Sequence, residues 1–238
     1  RFYLNDSELV LVKDDGSAVI DFEDGYEEES AEVQKQIDAV GKKWAGVIKA
    51  SQLDRCVWLI SADRQLYEIT NKKATVLKEN VVGFSYDDYT TILVYSDGTV
   101  EHIGERSEKY PDISGISEWT DIVQLAVFDS VSTMDIEGTE GFSVGIKSDG
   151  TLVATGQYYY GSDISGLLAI TNVKQIARER ENVVLLKNDG SVVSNPGTEF
   201  LRTSFEGVTD IAAIGFEWDK QQDYIYVKED GTVVISPD

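Results

Sequence analysis

The chain has 238 residues, with 21 Lys and Arg against 43 Asp and Glu, a formal charge of −22 and a pI near 4.3, so a phosphate backbone is repelled and nucleic-acid binding is excluded as an expectation. A single Cys (Cys56) and a single His (His102) leave no internal disulfide and no structural zinc set. No apolar run reaches the length of a membrane-spanning helix, the start Arg1-Phe2-Tyr3-Leu4-Asn5-Asp6 does not read as a signal peptide, and a hydrophobic share of 42% is too high for a disordered chain.

Along the chain the first regularity is a turn. Asp-Gly stands at Asp15-Gly16, Asp97-Gly98, Asp149-Gly150, Asp189-Gly190 and Asp230-Gly231. A degenerate copy, Asp63-Arg64, is located by the match of Leu59-Ile60-Ser61-Ala62-Asp63-Arg64-Gln65-Leu66 to Leu93-Val94-Tyr95-Ser96-Asp97-Gly98-Thr99-Val100. Turn positions at 16, 64, 98, 150, 190 and 231 define a repeat of about forty residues with variable loops.

Each repeat opens on an apolar segment. In chain order these are Phe2-Tyr3-Leu4, Gly46-Val47-Ile48, Val81-Val82-Gly83-Phe84, Ile122 to Ala126, Val173 to Ala177, and Ile211 to Ile214. A second segment carries apolar residues six and four places before the turn: Val10/Val12, Trp58/Ile60, Ile92/Val94, Val144/Ile146, Val184/Leu186 and Ile225/Val227. Period-two alternation marks a strand with one buried face. The residues in between (Leu11, Leu59, Leu93, Gly145, Leu185, Tyr226) are largely apolar too, so this strand is expected to be covered on both sides. After the turn, Ala18, Leu66, Val100, Leu152, Val192 and Val233 begin a third strand.

Gly accepts the positive φ of a tight hairpin and Asp can bond the backbone ahead. At Arg64 the Gly is missing, and a side chain in a left-handed turn costs about 1 kcal/mol or more. That hairpin is expected to be distorted or the most mobile of the six. One helical segment interrupts the pattern, with Ser30 as N-cap, Val33, Ile37 and Val40 on one face, and Gly41 after its end. Three or four antiparallel strands repeated six times predict an all-β fold. The expectation is a single β-propeller domain over residues 1–238, six-bladed, with one short inserted helix.

The best copy runs from Phe142 to Gly156, preceded by Asp121-Ile122-Val123-Gln124-Leu125-Ala126. It resembles the compact bacterial form of the regulator-of-chromosome-condensation repeat, and the resemblance extends over nearly the whole chain. The resemblance implies a β-propeller, commonly seven-bladed in that family, that serves as a protein-binding platform. Six repeats point here to six blades rather than seven. The family's Gly-Gln-Leu-Gly segment is absent, with Tyr160-Gly161 resembling its start. Similar repeat variants occur in secreted and surface proteins of bacteria, which implies an extracellular or cell-surface place, with a cytoplasmic one as the alternative.

Few residues suggest chemistry. His102 aligns with Ile20, Ala154 and Ile235 in the third strand and has no Ser/Asp partner pattern, so it is read as a strand residue. Cys56 occupies the position of Phe142 and Asp223 and is read as a packed residue. The acidic run Asp21 to Glu29 lacks the alternating spacing of a calcium loop and reads as a solvated face. Neither a metal nor a cofactor is expected, and no enzymatic activity. The alternative is a carboxylate-based hydrolase or lyase acting on carbohydrate in the propeller cleft.

Strand direction places the Asp-Gly turns at one end and two sets of loops at the other. The loop end gathers Tyr86, Tyr89, Phe128, Tyr158, Tyr159, Tyr160, Phe216 and Trp218. Aromatics in acidic loops are frequent anchors of protein interfaces. The expected partner is therefore a protein with a basic surface, met by a monomer, without nucleic acid and without membrane insertion.

Overall fold

The computed structural model describes residues 2–4, 8–22, 26–51, 54–87, 90–103, 115–128, 142–156, 164–179, 182–194, 202–204, 206–214 and 223–237. Each sequence repeat becomes one antiparallel sheet. The first contains β1 (Phe2–Leu4), β2 (Glu8–Val12) and β3 (Ala18–Phe22), followed by helix α1 (Glu27–Val40). The second contains β4 (Trp44–Ser51), β5 (Cys56–Ser61), β6 (Leu66–Thr70) and β7 (Ala74–Lys78). The third is β8 (Val81–Asp87), β9 (Thr90–Tyr95) and β10 (Val100–Ile103), the fourth β11 (Ile122–Phe128), β12 (Phe142–Lys147) and β13 (Leu152–Gly156). A short helix, α2 (Ile164–Leu168), leads to the fifth: β14 (Val173–Glu179), β15 (Asn182–Lys187), β16 (Val192–Ser194) and β17 (Arg202–Ser204). The sixth is β18 (Val208–Ile214), β19 (Asp223–Lys228) and β20 (Val233–Pro237).

The chain forms two compact units, Arg1–Val82 and Gly83–Asp238. In the first, Val10, Val12, Ala18, Ile20 and Phe22 of the first sheet meet Val33 and Ile37 of α1 and Val47, Val57, Leu59 and Ile69 of the second. Trp44 stands edge-on to Tyr67, ring centroids 5.4 Å apart and planes at 89°. In the second unit, Ile92, Val94 and Val100 pack with Ile122, Leu125 and Val127. Phe142, Val144, Ile146 and Leu152 meet Val173, Ile176, Val183 and Leu185, and Val184, Leu186 and Val192 meet Val208 and Ile211. One face of β15 thus lies on the following sheet and its other face on the preceding one. That explains why Val183, Val184, Leu185 and Leu186 are all fully buried, each contributing about 1.5–3 kcal/mol. The first sheet departs from the expectation of two covered faces: Leu9, Leu11 and Val19 are 40%, 39% and 40% exposed.

The helix also departs from its expected start. It begins at Glu27, three acidic residues occupy its first turn, and Tyr26 is its N-cap without a side-chain cap bond. Ser30 lies inside the helix, 7% exposed, and its hydroxyl accepts from the Phe22 N–H at 2.8 Å. A strand edge has taken the oxygen that a cap would have used. Gly41 ends the helix in a left-handed conformation, as the sequence predicts.

Candidate functional site: the two ends of the sheets

At the turn end the chemistry is uniform and local. Asp15, Asp97, Asp149 and Asp189 each accept from the N–H and the hydroxyl of the Ser or Thr two residues on, at 2.6–3.0 Å. Asp230 accepts from the Thr232 N–H at 2.9 Å. These hydroxyl and amide donors hold all five carboxyls below the usual range, the hydroxyl having the largest effect. Lysines two residues earlier (Lys13, Lys147, Lys187 and Lys228) add a smaller Coulombic pull.

The turn also joins one sheet to the next. The carbonyls of Gly16, Gly98, Gly150 and Gly190 accept from the N–H of Trp44, Ile122, Val173 and Val208 at 2.8–3.2 Å. The approach is close: a Cβ on Gly98 would lie 2.8 Å from the Asp121 backbone, and Gly98 has φ +81°. The turn aspartates are therefore structural, as read from the sequence. Arg64 corrects the expectation of a distorted hairpin. It adopts φ 69°, donates its N–H to the Ser61 carbonyl at 2.9 Å, and accepts from the Val81 N–H at 2.9 Å, the same bonds the glycine turns make.

A second set of ties escaped the sequence reading. The Gln124 amide donates to the Ile176 carbonyl at 3.0 Å and accepts from the Ile176 N–H at 3.2 Å. Gln175 does the same to Ile211, at 3.0 and 3.4 Å, and the Lys174 ammonium donates to the Thr209 carbonyl at 2.8 Å. Each carboxamide stands in for a peptide unit of a paired strand. The signal was visible: Gln is the third residue of both Ile122-Val123-Gln124 and Val173-Lys174-Gln175, after a bulge at the second.

Of the eight aromatics singled out for binding, two fall on described strands. The backbone of Tyr86 belongs to β8, and Phe128 is the last residue of β11, opposite Phe142. Both therefore sit on strand ends rather than in loops, and their side chains lie outside the described ones. Tyr89, Tyr158, Tyr159, Tyr160, Phe216 and Trp218 lie outside the described residues. An aromatic not singled out, Trp58, forms a cross-strand triplet with Lys49 and Glu68. The Lys49 ammonium lies 4.0 Å from its ring centroid and its indole N–H donates to Glu68 at 3.3 Å.

His102 is half-buried on β10 opposite Ile92, the register of Ile20 with Val10, Ala154 with Val144 and Ile235 with Ile225. Cys56 is buried between Ser51 and Thr70. From the acidic run, Glu29 pairs with Arg55 at 3.1 Å. Among the described residues no group of three or more His, Cys, Asp or Glu is placed to hold a metal ion, and no helix is long and apolar enough to cross a membrane.

A series of small antiparallel sheets, five turned on Asp-Gly and one on Asp63-Arg64 and packed face to face within each unit, has the repeat construction of a β-propeller. Solved structures narrow the type. The chain is similar to yeast RCC1 (Prp20) bound to Kap60, with a TM-score of 0.65 at 12% identity over 99% of this chain and 69% of that one. Prp20p from Saccharomyces cerevisiae, studied with its binding to Gsp1p and histones, gives 0.63 at 11% over 99% and 71%. BBS1N in complex with ARL6DN gives 0.53 at 12% over 97% and 73%. The fold is thus an RCC1-type β-propeller repeat fold. No family model and no curated protein matches the chain in sequence.

Proposed function

We propose that the chain is a non-enzymatic protein-binding module, a single six-bladed propeller domain acting as a monomer outside a bacterial cell or on its surface. The observation that carries this reading is that the turn end is consumed by structural hydrogen bonds, repeat after repeat. That leaves the opposite end, where the sequence varies and where the strand order would put the aromatics, for a partner. Propellers of similar fold were solved with protein partners (Kap60 on yeast RCC1, ARL6 on BBS1N), which supports a docking role. Tyr86, Tyr89, Phe128, Tyr158, Tyr159, Tyr160, Phe216 and Trp218 would anchor the partner. A charge of −22 favours a basic surface on that partner, with encounter slowing as salt shortens the Debye length below about 8 Å.

The test is affinity capture from the source organism with the parent protein and with Tyr159→Ala/Trp218→Ala, at low and high salt. The expected outcome is a reproducible partner that the double variant retains at least tenfold less well. Equal capture by both proteins rejects the aromatic face, and capture of nothing by the parent removes the main support for a binding module.

A further inference from the structure

The β3 edge of the first sheet is covered by side chains where the second and fifth sheets use a fourth strand. In the second sheet, the third strand pairs outward through Leu66 with Lys78 and Glu68 with Thr75. In the fifth, Val192 pairs with Ser204 and Ser194 with Arg202. These are the positions two and four residues after each turn. In the first sheet the equivalent residues are Ala18 and Ile20, and among the described residues no fourth strand pairs with β3. The Gln34 carboxamide donates to the Ala18 carbonyl at 3.0 Å and accepts from the Ile20 N–H at 3.1 Å. One helical turn earlier, Ser30 accepts from the Phe22 N–H at 2.8 Å. Residues 30 and 34 share a helix face, so α1 presents a row of partners along the strand edge. Val33 and Ile37, 0% and 2% exposed, hold that face in place.

We propose that α1 is a strand surrogate that locks the β3 edge against an extended segment from a second copy of this chain. An uncovered edge offers a ladder of unpaired N–H and C=O groups to any extended chain. This chain contains segments of the required kind: β7 and β17 lie on the same edge positions of their own sheets. The surrogate differs from a real strand in being closed on its far side. Gln34 spends its remaining donor on Asp38 at 2.9 Å, so no new edge is created and pairing stops. The inference is independent of the proposed binding face.

The test uses the full chain with Ser30→Ala/Gln34→Met, both replacements being good helix formers. Hydrogen exchange at Ile20 and Phe22 should accelerate at least tenfold while Val10 on the middle strand is unchanged. Sedimentation velocity should show concentration-dependent association of the variant and a single monomeric species for the parent. Unchanged exchange overturns the surrogate, and faster exchange with a monomer at every concentration overturns the lock. Where circular dichroism shows that the double variant has lost its helix, Gln34→Met alone decides. Ile20 must then lose protection while Phe22 keeps it, and parallel loss at both overturns the assignment.

Discussion

The turn of the second sheet and the Asp-Gly turns of the others reach one backbone geometry from different residues. At Asp97-Gly98 and Asp149-Gly150 the Asp is held by a Thr two residues on. In the second sheet, Asp63 instead accepts from Lys42 and from the Ser61 hydroxyl. Arg64 there has φ 69°, against φ +81° and +80° for Gly98 and Gly150. Local preference alone would have released Arg64 from that conformation. It stays because the Ser61 N–H reaches the Gln65 carbonyl at 2.9 Å and the Arg64 carbonyl is held by Val81. Strain of this kind persists where surrounding bonds over-determine the backbone.

The comparison is broken most severely by putting a side chain where the approach is closest. Gly98→Ala places a Cβ 2.8 Å from the Asp121 Cα and N, both backbone atoms, in a residue of φ +81°. A left-handed penalty of about 1 kcal/mol and overpacking of about 1–3 kcal/mol predict a loss of about 3 kcal/mol. Denaturant unfolding should show it as a lower midpoint at constant slope. A loss as small as that of a surface substitution would mean that the turn yields, and that the bond from Ile122 to the Gly98 carbonyl is not a constraint.

Next in size is the tie between the first strands of the fourth and fifth sheets. Gln124→Leu removes both bonds to Ile176 and leaves an N–H and a C=O part-buried. Orphaned groups of this kind cost about 1–3 kcal/mol in all. Asp210 supplies a second acceptor for the Ile211 N–H at 2.9 Å, so Gln175→Leu should cost less than Gln124→Leu. Equal losses by thermal unfolding would contradict that ranking.

Arg64→Gly probes the comparison from the other side. Relief of the left-handed strain predicts a gain of up to about 1 kcal/mol. The added freedom of Gly in the unfolded chain opposes it, so the gain falls below the penalty estimated for Gly98→Ala. A lower unfolding midpoint would show that the Arg64 side chain contributes more than its backbone strain costs.

How much of this was legible follows from what each feature depends on. The six strand–turn–strand units were readable because Val10, Ile92, Val144 and Val184 recur at fixed distance from a turn whose residues act locally. The place of His102 on its third strand, in line with Ile20 and Ala154, followed from the same spacing, and the structure adds its pairing with Ile92. The start of α1 was misread because Ser30 is an ordinary cap by local rules, and its use by Phe22 depends on a strand folded against it. The Gln124 and Gln175 side chains are visible in the sequence, but their role depends on Ile176 and Ile211 of the neighbouring strands. The exposed Leu9, Leu11 and Val19 were invisible to pattern, since the repeat carries the same apolar alternation there as elsewhere. Of the proposed binding face, the aromatics come from the sequence alone, and the backbones of Tyr86 and Phe128 belong to strand ends rather than loops.

The smallest effect per residue separates the turns by how their carboxylates are held. Asp15, Asp97, Asp149, Asp189 and Asp230 are lowered first by a hydroxyl donor, Asp63 first by the Lys42 ammonium. A folded-state pKa below the unfolded value of about 3.9 means that the unfolded chain binds protons first as pH falls. Stability from these groups is therefore complete above the ordinary Asp range and is lost as pH drops through the depressed values. All six are exposed, so each share is small and the total shows only because the device is repeated. Thermal unfolding between pH 6 and pH 3 should fall most steeply below about pH 4. Added salt should flatten the part due to Lys42 and Asp63, and leave most of the part due to Ser and Thr hydroxyls, because short hydrogen bonds are screened less than an exposed ion pair. Replacing Asp97, Asp149 and Asp189 by Asn keeps an acceptor oxygen and removes the titration. The triple variant should lose part of the acid slope while Asp63→Asn alone changes mainly its salt dependence. An acid slope that is the same in the triple variant and the parent would assign it to other carboxylates and remove the turns from the pH response.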